Sequence, residues 1–211
     1  MRTLLRDLIA CVGLLAIAIP AQACSLPSGY RKPSTLDLVG QSDTIVLAQV
    51  DSGSVDPQAH YTLPLLRPVK LLKGRELPGP IELDTSALAT DELTTTPSDP
   101  RNIVDAHPEA FDGSCNRSIF AKGSTLLVFL KRQGSKYEVV QPPFSRAFED
   151  VPSEDALWVK AVKLYIEIDS LPPSKRRAAM RDKQFWLGAE FDDPDARLLA
   201  QELRRALRED F

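Results

Sequence analysis

The chain has 211 residues, with 26 basic and 29 acidic side chains and a formal net charge of −3 at pH 7. That near balance carries no basic stripe of the kind that binds nucleic acid. The two histidines, His60 and His107, and the cysteines are too scattered for the close ligand spacing of a zinc site, so neither a metal nor a cofactor is expected.

Arg2 and Arg6 give a positive start, followed by an uncharged apolar run from Leu8 to Ile19. A bilayer-spanning helix needs roughly 20 apolar residues, and this run is shorter. Pro20 ends it, and Ala21-Gln22-Ala23 follows as the small-x-small pattern of a signal-peptidase site. Residues 1–23 therefore read as a signal peptide, and the mature chain is expected to begin at Cys24 and to be periplasmic or secreted. A cysteine at that position also opens a lipoprotein route, in which Cys24 is acylated and the protein is held at a membrane. Cys24 and Cys115 are the cysteines left after cleavage, and an oxidising compartment favours a disulfide between them. Two separate thiols, or a lipidated Cys24 with an unpaired Cys115, are the alternatives.

Ser34 to Gln41 predicts a short helix with Ser34 as its N-cap, broken by Ser42-Asp43. Thr44 to Val50 is a strong strand, and Asp51 to Ser54 reads as a turn. Tyr61 to Leu72 is extended, but Pro64 and Pro68 confine it to an edge or demand a bulge. Pro80 to Asp84 is a short strand. Ala87 to Gly113 is a long polar stretch with three prolines, of a kind that is either functional or disordered. Ser124 to Lys131 is the most apolar strand, with Leu126, Val128 and Leu130 on one face. A turn at Gly134-Ser135 leads to Tyr137–Val140, and Phe144–Phe148 is a last short strand. The expected core is Ile45, Leu47, Val69, Leu71, Ile81, Leu83, Leu126, Val128, Leu130 and Val139.

Beyond Pro152 the period becomes helical. Three helices are expected: from an N-cap at Ser153, from Ser174 to Leu187 with Gly188 as terminator, and from an Asp193 N-cap with Pro194 at the first position. The last carries Ala196, Leu199, Ala200, Leu203 and Leu207 on one face. Charges from Ser153 onward balance at 11 basic and 12 acidic, which does not describe a basic membrane-surface helix.

A mature N-terminal Cys24, a short helix, the strand TIVLAQV, a strand ending in LLKG, Pro80 to Leu83, and Cys115 ahead of Gly123 to Leu130 occur in that order. This order resembles bacterial proteins related to tissue inhibitors of metalloproteinases, the netrin-like domains, over about residues 24–141. The resemblance implies an α+β chain with a five- to six-stranded OB-like β-barrel over residues 24–151, followed by a helical appendage over 152–211. It further implies that Cys24, Ser25 and Leu26 form a protease-contacting N-terminus. The free α-amine and carbonyl of Cys24 would chelate a protease's zinc, with a disulfide clamping that end. An α-amine titrates near 8 in model compounds, so a useful fraction is neutral near neutrality. The family's Cys-x-Cys start is Cys24-Ser25-Leu26 here, so its second disulfide is missing, and its protease-facing loops have no match. The expected function is therefore an exported, non-enzymatic protein-binding module, with a metalloprotease as the partner the resemblance implies. An envelope scaffold that docks through the helical tail is the alternative. A hydrolase built on Asp105, His107, Ser114 or Cys115 is a third reading, though no motif for nucleophilic catalysis surrounds them. Asn116-Arg117-Ser118 also matches a glycosylation sequon.

Overall fold

A computed structural model describes residues 26–55, 62–83, 87–91 and 95–209. The expected signal peptide, Cys24, Ser25 and His60 lie outside these residues.

Helix α1 (Thr35–Gln41) starts where the sequence indicates. The Asp37 backbone N–H donates to the Ser34 hydroxyl, and the Asp37 carboxylate accepts from the Ser34 backbone N–H, a reciprocal capping box. Eight strands follow: β1 (Thr44–Val55), β2 (Thr62–Lys73), β3 (Ile81–Glu82), β4 (Leu88–Thr90), β5 (Ile119–Ala121), β6 (Thr125–Gln133), β7 (Lys136–Val139) and β8 (Phe148–Asp150). Helices α2 (Leu157–Asp169), α3 (Pro173–Ala189) and α4 (Pro194–Glu209) complete the chain. The main sheet has the order β3-β2-β1-β6-β7, with β8 pairing the other half of β6 beyond β7. All its ladders are antiparallel. Strands β4 and β5 form a separate parallel pair.

The two central strands are apolar on both faces, and this decides the architecture. Successive side chains on a strand point to opposite sides. On one side, Ile45 and Leu47 of β1 face Phe129 and Leu127 of β6 and pack with α1, α2 and α4. On the other, Val46, Ala48 and Val50 join Leu126, Val128 and Leu130 under Ala89 of β4 and Phe120 of β5. A barrel buries only the inward half of each strand. Here the outward half is buried too, so the chain lays helices over one face and the β4–β5 pair over the other. The expected barrel is accordingly replaced by an open sheet: among the described residues no ladder joins edges β3 and β7. The mixed α and β class and the helical end are as expected.

The helices after Val151 share their apolar core with the sheet. Trp158, Val162, Tyr165 and Ile168 of α2 and Leu199 and Leu203 of α4 lie in one cluster with Ile45, Leu47, Leu127 and Phe129. Burial of each such side chain contributes about 1.5–3 kcal/mol. Polar contacts secure the junction. Lys73 donates to the Val39 carbonyl at 2.7 Å and to Asp169 at 2.9 Å, and Arg176 bridges to Asp169 at 3.0 Å. Between α2 and α4, the Tyr165 hydroxyl donates to the buried Glu202 at 3.1 Å. Glu202 also accepts from Arg205 at 2.7 Å, and this bond holds the guanidinium above its ordinary value.

Several expectations are corrected. Residues 51–54 continue β1 and are no turn. Pro64 and Pro68 sit within β2, opposite Ser52 and Ala48. The register slips between Leu47↔Lys70 and Ala48↔Pro68, so Val69 is the extra residue of a bulge. Val69 is 56% exposed and no part of the core. Gly188 lies inside α3, and α2 starts at Leu157 with Ala156 as its N-cap, three residues beyond the Ser153 cap. Strand β5 was not foreseen, and the last strand falls at Phe148–Asp150.

Candidate functional site

The long polar stretch is packed in part into the described structure. It contributes β4 and a 3₁₀ turn, Pro108–Phe111, and buries Ile103, Ala106, His107 and Ala110. What holds it is a set of buried charges. Arg117, with a side chain 3% exposed, donates to Asp150 at 2.5 Å and to the Ile119 carbonyl at 3.2 Å. Its guanidinium also lies 5.2 Å from the centre of the Phe120 ring. Asp150 accepts from the Ser98 backbone N–H at 3.1 Å, and the Ser98 hydroxyl in turn accepts from the Asp150 N–H at 3.1 Å. The neighbouring Glu149, on the other face of β8, accepts from the Ser98 hydroxyl at 2.5 Å and the His107 N–H at 3.0 Å, and pairs with Arg146 at 3.4 Å. Arg146 donates to the carbonyls of Asn102 and Asp105 and lies over the Trp158 ring at 4.7 Å. Burial pulls its guanidinium below the ordinary arginine value, and Glu149 opposes that shift. Glu109 closes the set, its carboxylate accepting from the backbone N–H groups of Ser118 at 3.0 Å and Ile119 at 2.9 Å.

This bracing fixes the turn that carries Cys115. Cys115 is 2% exposed and adopts φ 62°, a left-handed conformation that costs a non-glycine residue about 1–3 kcal/mol. Its carbonyl accepts from the Phe144 N–H at 2.7 Å, and Phe144 itself has φ 57°. The Phe144 ring stacks on Phe111 at 5.2 Å, tying the turn to the 3₁₀ segment. Tyr30 donates to the Pro143 carbonyl at 2.7 Å, so the first described residues run over the same turn. Burial raises the Tyr30 phenol above its usual value. Six residue steps separate Tyr30 from Cys24, a reach of at most about 20 Å.

Beside Cys115 lies a cleft of about 350 Å³ between edges β3 and β7. Ile81 and Glu82 line one wall, Tyr137 and Glu138 the other, and Ser114 and Asn116 the end. Glu82 accepts from the Ser54 N–H, which holds its carboxyl below the ordinary carboxylate value. The Asn116 amide, oriented to satisfy both ends, donates to the carbonyls of Pro142, Gln141 and Cys115 at 3.1, 3.2 and 3.1 Å. Among the described residues, strand β7 pairs on one side only, with β6. A rigid wall, an unpaired strand edge and a mixed polar and apolar lining are what an extended peptide needs in order to dock.

The residues of the hydrolase reading are spread over other tasks. His107 is buried. Its Nε2 donates to the Thr96 carbonyl at 2.7 Å, and its Nδ1 accepts from the Glu109 N–H at 3.3 Å. Both ring nitrogens are thus spent on backbone. The Ser114 hydroxyl bonds the carbonyls of Glu109 and Asn116, and Asp105 faces Lys32 at 3.9 Å. No hydrogen bond joins Ser114, His107 and Asp105 as nucleophile, base and orienting group. Of the expected protease-contacting N-terminus, Leu26 is half-buried at the start of the described chain, while Cys24 and Ser25 lie outside it. Ser98, Arg117, Arg146, Glu149 and Asp150 were not singled out from the sequence. In the sequence they are isolated charges and a serine, which ordinarily sit in solvent.

Among the described residues, no group of three or more His, Cys, Asp and Glu side chains could hold a metal ion. Nor is any helix among them long and apolar enough to cross a membrane. Comparison with models of known protein families, with curated proteins and with solved structures gave no match to this chain.

Proposed function

We propose that this chain is an exported protein-binding module that receives an extended segment of a partner in the cleft between β3 and β7, beside the Cys115 turn. The observation that carries the reading is the pairing of an unpaired strand edge with a wall that the Arg117–Asp150 and Arg146–Glu149 pairs hold rigid. A preorganised edge loses little entropy when a strand is added to it. In this reading the mature chain begins at Cys24 and is pinned to Cys115 by a disulfide. Support comes from the burial of Cys115, the engagement of its sulfur, and the course of residues 26–33 over its turn. The narrower reading from the netrin-like resemblance, zinc chelation by the Cys24 amine and carbonyl, uses the same pinned end.

A photo-crosslinking residue placed at Glu138 in cells that export the protein tests the docking site. The expected result is a discrete protein adduct from position 138 and none from Gln201 on the exposed face of α4. Equal labelling from both positions, or none from 138, contradicts it. For the narrower reading, an alanine added before Cys24 is expected to abolish inhibition of any zinc protease that the mature protein inhibits.

A further inference from the structure

Among the described residues, helix α3 is covered only along one narrow strip. Met180 alone of its 17 residues is buried. Near its end stand the three most exposed large apolar side chains among the described residues: Phe185 at 66%, Trp186 at 68% and Phe191 at 77%. The Phe185 and Trp186 rings meet edge to face at 5.5 Å. Taking about 150–250 Å² for an aromatic side chain, these exposures leave roughly 400 Å² of aromatic surface in water. A patch of that size on one element marks an interaction surface more often than chance exposure.

The charges on either side of the patch identify its occupant. The first eleven residues of the helix carry Lys175, Arg176, Arg177, Arg181 and Lys183 against Asp182 alone. Arg176 and Lys183 are paired within the chain, with Asp169 and Glu167. Lys175 and Arg181 stand exposed at the surface, and Arg177, exposed as well, has a contact of its own within the chain. Beyond the helix come Glu190, Asp192 and Asp193, also exposed, on both sides of Phe191. From Lys175 to Asp193 the segment therefore runs basic, then aromatic, then acidic, with Phe191 among the carboxylates.

We propose that α3 is the interface of a two-fold homodimer in which two copies of this helix pack antiparallel. A two-fold interface must be complementary to itself. An antiparallel pair places the basic half of each copy over the acidic end of the other. At about 1.5 Å per residue, Lys175 and Asp192 stand about 25 Å apart along the axis, and their midpoint falls beside Phe185 and Trp186. The rings of both copies then meet at the two-fold axis, and Arg181 of one copy lies opposite the Trp186 ring of the other, a favourable cation–π arrangement. An anionic bilayer fits less well, because it would repel the three carboxylates around Phe191. One helix from each copy buries less than the roughly 1,200 Å² of a standard interface, which places this contact among the weak, transient ones.

Sedimentation velocity of the mature protein, from low micromolar to several hundred micromolar, tests this. Fluorescence reads the same event, because Trp158 is buried at every concentration and only Trp186 changes surroundings. The expected result is a concentration-dependent dimer with a blue shift of the emission. F185S/W186S is expected to remain monomeric across the range with unchanged circular dichroism. R177E/R181E and E190K/D192K/D193K are each expected to lose the dimer, and an equimolar mixture of the two to regain it as a heterodimer. A monomer at every concentration, a dimer that survives F185S/W186S, or a charge-reversed mixture that stays monomeric overturns the proposal. A blue shift seen only with phosphatidylglycerol vesicles also overturns it, in favour of a lipid surface.

Discussion

Replacing Arg117 with methionine removes the cation from the shorter of the two buried ion pairs that brace the Cys115 turn. The Arg117 side chain is 3% exposed and that of Asp150 is 14% exposed. Losing one partner of a buried pair costs about 3–5 kcal/mol, because the other stays desolvated and charged. Asp150 keeps its bond from the Ser98 N–H, which places the expected cost near the lower end, about 3 kcal/mol. Domains of this size have about 5–15 kcal/mol in total, so the loss is a large share. Asp150→Asn removes the matching charge, and R117M/D150N is expected to be less destabilised than the sum of the single changes. The coupling should be on the order of 1–3 kcal/mol. Urea unfolding followed by Trp158 fluorescence supplies all three values. A cost below about 0.5 kcal/mol for R117M, the range of ordinary surface changes, or strict additivity in the double variant, would refute the bracing role.

Three further outcomes are expected. In β2, Leu66→Ala should cost about 2–5 kcal/mol and Val69→Ser less than about 0.5 kcal/mol, although both are aliphatic residues of one strand; equal costs in urea unfolding would contradict the bulge. Leu203→Ala in α4 should cost about 2–5 kcal/mol and lower the melting of sheet and helices together, because they share one core; separate transitions by calorimetry would contradict that core. Burial raises the Tyr30 phenol, so the folded chain holds this proton more tightly than the unfolded chain does. That contribution is complete below the unfolded value of about 10 and is lost as pH rises through the higher folded value. Tyr30→Phe should flatten the fall of unfolding midpoints above about pH 10, and an unchanged slope would show that the Tyr30–Pro143 contact is not formed.

The first helix cap and the central strands could be read from the sequence because each is decided locally. Ser34 as N-cap, the alternation of Leu126, Val128 and Leu130, and the stripe Ala196–Leu199–Leu203 on α4 all occur where the local pattern places them. The same apolar runs held a second message. Thr44 to Val50 and Leu126 to Leu130 are apolar at almost every position, the pattern of strands covered on both faces. That continuity forbids a barrel with a solvated exterior and calls for the helical layer. The prolines of β2 called for an edge position or a bulge; the structure has a bulge, whose position, and so the exposure of Val69, depended on pairing with β1. The braced site was hidden for a different reason. Ser98, Glu109, Arg117, Arg146, Glu149 and Asp150 span more than fifty residues and have no spacing in common. Each is an ordinary solvated residue until β8 and the long loop are brought together.

The docking and inhibitor readings both depend on where the mature chain begins and how that end is held. Non-reducing peptide mapping with intact mass, on protein recovered from the exporting cell, addresses this directly. The expected result is a chain starting at Cys24, without lipid, and one cross-linked peptide joining Cys24 to Cys115. An acylated Cys24, or a Cys115 that takes up an alkylating reagent after unfolding without reduction, would contradict it.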